Sequence, residues 1–521
     1  MLISDIVRRN AEVFGDRDAA VVPGGLRRSW GELDERASRL GNALLGLGLA
    51  KGDRVAMLAA NGPEFLELFF ACAKTGIVGA TLNTRLAPAE LGRYLRYVEP
   101  AALLVGAALT DEADRFVGDV PSVGAVVGIG DGHGRPFDYE QVLAAASPGE
   151  PPGDVDDTDI YQLGATSGTT GVPKAAILTH RNAWAAMCCW LAEMPVPEEA
   201  TNLQNIPLFF NPGGPAGIHP VMLKGGRSVI PAGFDPGLFL RLVAEYRVTH
   251  TTMVPTMVAM VLDHPAAATA ELSSLLAVIS GGSPVPRELL LRARPVLGDV
   301  LLPTFGMAES YSSGLVLRRE RQLTDGPPEV VRRLTSAGRA HVLVRTRVVG
   351  DDGHDVPPDA RTAGELWLTG DTISPGYFRM PEETAASRHG RWFKTGDLAT
   401  VDADGYVTIV DRKKDMIITG GINVFSRDVE EVLHDHPAVA QCAVIGIPHP
   451  RWGEAIHAVV VLRPGAAADP AELMAFCDGR IAGYKKPRSV ELVDALPVSA
   501  TGKVLKRDLR ARWWAGTGRT V

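Results

Sequence analysis

The hydrophobic positions of the chain change period along its length, and the changes mark out its elements. Asp53-Arg54-Val55-Ala56-Met57-Leu58-Ala59-Ala60 is a short apolar run of the kind that forms a buried strand. Pro63 to Lys74 follows with Phe65, Leu68, Phe69 and Cys72 at helical spacing. Ile77 to Leu82 reads as the next strand, Glu90 to Val98 as the next helix and Ala101 to Gly106 as a further strand. Strands and helices alternating at these lengths imply right-handed crossovers in a parallel sheet. The rhythm returns after residue 230. A helix is expected from Phe234 to Arg247, with Leu238, Leu242 and Val243 on one side, then strands from Thr249 to Val254 and from Leu275 to Ser280. Pro286 to Leu297 reads as a helix opened by a proline in its first turn, and Val300 to Thr304 as one more strand. Two loops follow successive strands, Gly281-Gly282-Ser283-Pro284 and Phe305-Gly306-Met307-Ala308-Glu309. Open α/β sheets bind ligands at such places.

From about Arg339 the pattern shortens to alternating runs broken by Asp352-Gly353 and Asp404-Gly405, which suits a smaller antiparallel region. A boundary is expected at Asp411-Arg412-Lys413-Lys414-Asp415, a charged run without Gly or Pro. Beyond it Ser426 is expected to cap a helix with Val429, Val432 and Leu433 inward, followed by strands over 440–445 and 455–462 and a helix over 471–480. The expected fold class is α/β. A large N-terminal region of several subdomains with parallel sheets would occupy residues 1–410, a hinge 411–415, and a small α+β C-terminal domain 416–521.

Composition narrows this picture without redirecting it. With 521 residues, 46% of them hydrophobic, the chain can build more than one core. Its 53 Lys+Arg against 61 Asp+Glu leave a net charge of -8, which argues against general nucleic-acid binding. Five cysteines, an odd number without CxxC spacing, point to a reduced, cytoplasmic chain with no zinc site. Met1 to Asn10 carries Asp5, Arg8 and Arg9 and no apolar stretch, so no signal peptide is expected. The most apolar segment, Phe65 to Leu82, is broken by Glu67, Lys74 and Gly76 and reads as no membrane span. His434-Asp435-His436 is expected at the surface and not on a metal. Cys188-Cys189, in a helix with Trp184, Met187 and Trp190, is expected in the core.

The stretch with the clearest chemistry is Thr166-Ser167-Gly168-Thr169-Thr170-Gly171-Val172-Pro173-Lys174. Glycines let consecutive backbone N–H groups turn to one concave face, and the hydroxyls add donors, which together make a phosphate cradle. It is not a P-loop, because Pro173 precedes the lysine and Ala175 follows it.

With this stretch in place, the chain resembles the adenylate-forming superfamily of acyl-CoA synthetases, aryl-CoA ligases, nonribosomal adenylation domains and firefly luciferase. The similarity runs in order through 166–174, Gly281 to Pro284, Phe305 to Glu309, Trp392-Phe393-Lys394-Thr395-Gly396-Asp397, Tyr406 to Gly421 and Pro497 to Lys503. The resemblance implies an N-terminal region holding ATP and an acid, and a C-terminal lid that rotates between two half-reactions. In the first, a carboxylate attacks the α-phosphate of Mg·ATP. In the second, a thiol, most often that of coenzyme A, attacks the acyl-adenylate.

The resemblance also assigns roles. Lys503 looks like the adenylation lysine, bridging the acid and the α-phosphate, and Glu309 with Thr166 resembles the Mg²⁺ site. Residues 166–171 and Lys174 would hold phosphates. Gly282, Ser283 and Phe305 would frame the adenine, Gly306 would belong to the same cofactor site, Asp397 would bind the ribose, and Arg412 would reach ribose and phosphate. Lys414 falls at the hinge and Gly421 where the pantetheine arm enters. Phe209, Phe210, Asn211, Gly281 and Met307 would line the acid pocket. No Arg or Lys lies within 209–217, which disfavours dicarboxylic acids and favours an apolar tail or ring. Tyr484-Lys485-Lys486-Pro487-Arg488 reads equally as a site for coenzyme A phosphates or as a solvated basic turn.

Three departures stand out. Ala308 replaces a frequent threonine, Phe210 a frequent histidine and Ala175 a common glycine. The leading expectation is an ATP-dependent carboxylate–CoA ligase acting on an acyl or aryl acid. One alternative, motivated by Phe210, hands the adenylate to an amine or to a carrier protein in trans. A second, motivated by Ala308, is a nucleotide-binding protein with little turnover. A homodimer is admissible on this reading.

Overall fold

The computed structural model describes residues 1–166, 174–210, 215–413, 415–420, 422–498 and 504–515, with only the backbone described at 166, 215 and 216. Two compact units divide the chain. One comprises 1–334, 338–345 and 368–393, and the other 335–337, 346–367 and 394–521. The second unit therefore takes in Asp397 as well as everything after residue 411.

The first unit is built on two sheets. In one, strands run from edge to edge as Phe137–Asp138, Ala125–Ile129, Ala102–Gly106, Arg54–Leu58, Val78–Thr81, Ile160–Thr166 and Lys174–Thr179. Every pairing in it is parallel except the last, which folds back and sets Thr166 opposite Lys174. The other sheet is parallel from Leu301–Phe305 through Ala277–Ser280, His250–Met253, Thr201–Leu203 and Arg227–Val229 to Asp18–Val21. Antiparallel strands are added at both of its edges. Helices cover these strands on both faces, which is why they read as continuous apolar runs. The expected strands and helices of this region form within a few residues of their expected bounds. Pro286 stands at the cap of the helix Arg287–Leu297, one position before its first turn.

Helix Glu64–Thr75 is buried on all sides, including Glu67 and Lys74. Charges survive there only with partners. Arg36 Nε meets Glu67 Oε1 at 2.6 Å and the Tyr139 hydroxyl donates to Glu67 Oε2 at 2.6 Å. Lys74 Nζ lies 2.7 Å from Asp34 and 2.6 Å from Glu150. The polar residues that rule out a membrane span in the sequence thus tie this helix to its neighbours. Among the described residues no helix is long and apolar enough to cross a membrane.

Helix His180–Glu193 starts at a capping box in which Thr179 Oγ1 accepts from Asn182 N and Asn182 Oδ1 accepts from Thr179 N. The expectation that both Cys188 and Cys189 are core needs correction: Cys189 is buried and Cys188 is exposed. Adjacent positions on a helix point about 100° apart, so a pair at the border of the apolar stripe splits.

In the second unit, strands Trp392–Val401 and Val407–Arg412 pair antiparallel, with Asp397 opposite Arg412. Further on, Val439–His449 and Gly453–Leu462 form a long antiparallel ladder, and helix Ser426–His434 buries Val429 and Leu433 in the same core. Ser426 does not cap this helix. Phe425 holds the cap position, and the Ser426 N–H donates to Asp411 Oδ2 at 2.6 Å. A carboxylate at a helix N-terminus meets both the unpaired N–H and the helix dipole, a stronger partner than a serine hydroxyl. The last expected helix is shorter, Pro470–Phe476, capped by Asp469. His436 is buried, not at the surface. Its ring stands edge-on to Phe476, and its Nδ1 accepts from Ala438 N at 3.2 Å. No group of His, Cys, Asp and Glu suited to a metal occurs among the described residues.

Candidate functional site

Strand Leu301–Phe305 runs into a short helical turn, Ala308–Ser310, that presents Glu309. The residue is 6% exposed. The Tyr377 hydroxyl donates to Glu309 Oε1 at 2.8 Å, and Ser374 N donates to the Glu309 carbonyl at 2.7 Å. Burial first, and then the charge of Glu309, push the Tyr377 phenol well above its ordinary value, so the proton stays on the tyrosine.

Lys174 opens the strand Lys174–Thr179, and its ammonium stands 4.9 Å from the centroid of the Tyr377 ring. That is a cation–π distance. Tyr377 is fixed to the same strand from both sides. Ile177 N donates to Gly376 O at 2.9 Å and Phe378 N to Ala175 O at 2.8 Å. Tyr377 N donates to Thr384 Oγ1 at 2.9 Å. The segment before it hangs from Asn182, whose Nδ2 donates to Asp371 O at 2.7 Å and to Ile373 O at 3.2 Å.

Two glycines allow the loops to close around this point. A Cβ on Gly306 would lie 2.4 Å from the Ser312 carbonyl carbon, and one on Gly281 would lie 2.7 Å from Thr304 Cγ2. The loop 281–283 therefore packs on the strand end that carries Phe305. Tyr311 and Ser312, just after Glu309, both hold left-handed backbone, with φ 49° and 58°. Ser312 N donates to Met307 O at 3.0 Å across that turn. Strain of this kind gathers where a side chain is being aimed. Phe209 is buried against Phe210 with ring centroids 4.5 Å apart, and its carbonyl accepts from Thr81 Oγ1 at 3.0 Å. Phe210 is half-buried.

In the second unit, Asp397 follows Gly396, whose φ of 75° turns the strand. Arg412 Nε lies 3.6 Å from Asp397 Oδ1, with the arginine side chain 45% exposed and the carboxylate 14%. Asp411, next to Arg412, has its carboxyl raised by burial against the opposing pull of Lys506. Lys506 itself meets Glu430 at 2.7 Å and the Ser426 hydroxyl. Arg510 meets Asp415 at 2.9 Å. The residues flanking position 414 are therefore tied to the helix Lys506–Trp514, which starts three residues after Lys503.

A profile of the AMP-binding enzyme family matches residues 7–378, and one of the AMP-binding enzyme C-terminal domain matches 428–503. The chain belongs to the AMP-binding enzyme family. Within it the chain is of the acyl-CoA synthetase type, an acid–thiol ligase. It is 38% identical over 495 residues to a feruloyl-CoA synthase of Amycolatopsis sp, covering 95% of this chain and 96% of that protein. It is 35% identical over 520 residues to the medium/long-chain-fatty-acid–CoA ligase FadD8 of Mycobacterium tuberculosis, covering 96% and 88%. The fold matches the anthranilate CoA ligase AuaEII in complex with anthranoyl-AMP with a TM-score of 0.89 at 27% identity, covering 98% of this chain and 97% of that one.

Within this AMP-binding enzyme, the expected site residues separate by unit. The first unit brings Lys174 to the ring of Tyr377 and Glu309 to its hydroxyl, and packs Gly281 against the strand end before Phe305. The second pairs Asp397 with Arg412. Ser167, Gly168, Thr169, Thr170, Gly171, Asn211, Lys414, Gly421 and Lys503 lie outside the described residues, as does the side chain of Thr166. The sequence reading missed Tyr377 and Asn182. Neither carries a spacing signal, since their partners lie 68 and about 190 residues away.

Proposed function

We propose that this acid–CoA ligase activates an aromatic monocarboxylic acid, of the class that includes ferulate and anthranilate, and delivers it to coenzyme A. An acid oxygen attacks the α-phosphorus of ATP, the bond to the β-phosphate oxygen breaks, and pyrophosphate leaves. The thiol sulfur of coenzyme A then attacks the acyl carbon, AMP leaves, and the thiol proton passes to solvent. The observation that carries the reading is the buried Glu309 carboxylate joined through Tyr377 to the Lys174 ammonium. It holds a buried carboxylate and a cation on one tyrosine, and an ATP tail with its metal would need both.

A single buried carboxylate beside phosphate ligands fits Mg²⁺, which keeps few protein ligands. Glu309 and Thr166 would hold it, and when bound it would neutralise phosphate charge. Lys503 would supply the positive charge that joins the acid to the α-phosphate. Asp397 would accept from the ribose hydroxyls, with Arg412 beside it, and Gly282, Ser283 and Phe305 would frame the adenine. Residues 411–415, Lys414 among them, would let residues 416–521 change orientation between the half-reactions, and Gly421 would leave room for the pantetheine arm. The paired Phe209 and Phe210 rings, with no Arg or Lys in 209–217, suit an aromatic acid. All five cysteines are free thiols, in keeping with a reducing cytoplasm.

The test is pyrophosphate release with Mg·ATP over a panel of aromatic, fatty and dicarboxylic acids, with and without coenzyme A. Sustained release and thioester formation with aromatic acids are expected. Phe210 favours a second reading, in which an amine or a carrier protein accepts the adenylate. Release that is indifferent to coenzyme A but quickened by such an acceptor would replace the first reading with it. Lys503→Ala is expected to abolish adenylation by at least about a hundredfold. It is expected to spare thioester formation from a synthetic acyl-adenylate.

A further inference from the structure

The geometry points to Tyr377 as the positioning residue of the ATP phosphate site, holding the Glu309 carboxylate with its hydroxyl and the Lys174 ammonium with its ring face. The inference rests on the proposed function only in taking Glu309 and Lys174 as the groups that meet Mg·ATP.

Both of those groups need to be held. Lys174 is a long, rotamer-rich cation at the start of an antiparallel strand, and Glu309 sits on a three-residue turn beside strained backbone. A direct Lys174–Glu309 ion pair would neutralise the charges that phosphates and metal require. Tyr377 avoids that. Its hydroxyl spends one donor on Glu309 Oε1 at 2.8 Å, and its ring attracts the ammonium at 4.9 Å without adding a negative charge. The two held groups thus remain cation and anion, with their separation set by the length of one tyrosine.

The backbone of Tyr377 is correspondingly fixed. It continues the edge of the strand that carries Lys174, through Gly376 O and Phe378 N. Thr384 receives its N–H, and the Tyr97 hydroxyl donates to Phe378 O. Gly376 cannot carry a side chain here, because a Cβ would lie 2.4 Å from Thr384 Cγ2. Ser374 N, three residues earlier, binds the carbonyl of Glu309 itself. The segment 374–378 therefore holds Glu309 at its backbone and at its side chain while lying along the Lys174 strand.

Two variants separate the two contacts. Tyr377→Phe keeps the ring and removes the hydroxyl, whereas Tyr377→Leu removes both. ATP binding is measured by calorimetry on the full chain, once with Mg²⁺ and once in EDTA, with thermal melting alongside. For Tyr377→Phe the affinity for Mg·ATP is expected to fall roughly tenfold, as suits the loss of a hydrogen bond to a charged acceptor. Its affinity in EDTA is expected to stay unchanged, and its melting temperature to fall only by what one buried hydrogen bond contributes. For Tyr377→Leu the affinity in EDTA is expected to fall several-fold as well. Thioester formation from a synthetic acyl-adenylate, which needs no β- or γ-phosphate, is expected to be unchanged in Tyr377→Phe. Equal losses in both calorimetric arms, or an unchanged affinity for Mg·ATP in Tyr377→Phe, would overturn the positioning role. A wild-type chain that makes no thioester with coenzyme A, while Tyr377→Phe still weakens Mg·ATP selectively, would overturn the proposed function and leave this inference standing.

Discussion

Glu309 and Gly306 stand three residues apart and do different work. Glu309 supplies charge, so Glu309→Gln keeps the shape and an acceptor for Tyr377 while removing the anion. Pyrophosphate release is expected to fall about a hundredfold, the usual cost of one preorganised electrostatic group. The second half-reaction, started from a synthetic acyl-adenylate, should be retained, and comparing the two rates checks this. Gly306 supplies space. In Gly306→Ala the new Cβ would meet the Ser312 backbone at 2.4 Å, and backbone cannot swing aside as a side-chain tip can. A loss of about 1–3 kcal/mol of stability is expected, read from the urea midpoint. At this scale the sequence was most legible at 305–309, where the expected strand ends and the loop after it presents Glu309. It was least legible for Tyr377, whose meaning comes entirely from two partners that the fold brings to it. It was misleading at Cys188 and His436, where one step around a helix, or one aromatic neighbour, decided exposure.

Elements were legible wherever the apolar period was long, and the parallel strands of the first unit show it. Their ends were harder, because caps are set by groups remote in sequence. Asp411 replaces Ser426 as the anchor of helix Ser426–His434 across fifteen residues. Asn182 is the reverse case, a local cap with a remote second task. Its Oδ1 serves the capping box of helix His180–Glu193, and its Nδ2 suspends the 371–373 segment that leads to Tyr377. Asn182→Ala should lose a cap worth about 1 kcal/mol and two buried hydrogen bonds worth about 1 kcal/mol each. The expected sum is about 3 kcal/mol in urea unfolding, together with weaker adenylation. Asn182→Asp keeps the cap but loses the two donors, so it should recover only the cap's share. Wild-type stability in Asn182→Asp would show that the suspension of 371–373 contributes nothing, and equal losses for both variants would show that the cap contributes nothing.

Across the first unit, four buried histidines give the whole molecule a dependence on pH. Burial lowers His219 to about 3 and His180, His250 and His341 to about 4. For His341 this holds even though Glu193 lies 3.9 Å away, because Arg318 takes up that carboxylate. Each folded value lies below the ordinary value of 6.5, so between about 4 and 6.5 the unfolded chain binds more protons than the folded one. Stability is therefore full above about 6.5 and falls as pH drops through this window, by at most about 1.4 kcal/mol per pH unit for each histidine. Carboxylates held low by partners, such as Glu140 with Arg36, contribute in the same direction but only below their ordinary value of 4.5. His219 isolates the effect, since both ring nitrogens are buried without a hydrogen-bond partner among the described residues and its ring packs against Phe70 and Tyr161. His219→Phe removes a titrating group without orphaning a partner. The slope of unfolding free energy against pH between 5 and 6.5 should flatten by up to about 1.4 kcal/mol per unit relative to wild type. Above pH 7, where the histidine is neutral in both states, the two proteins should differ only by packing. An unchanged slope would mean that His219 already keeps its neutral form in the unfolded chain or reaches solvent in the folded one.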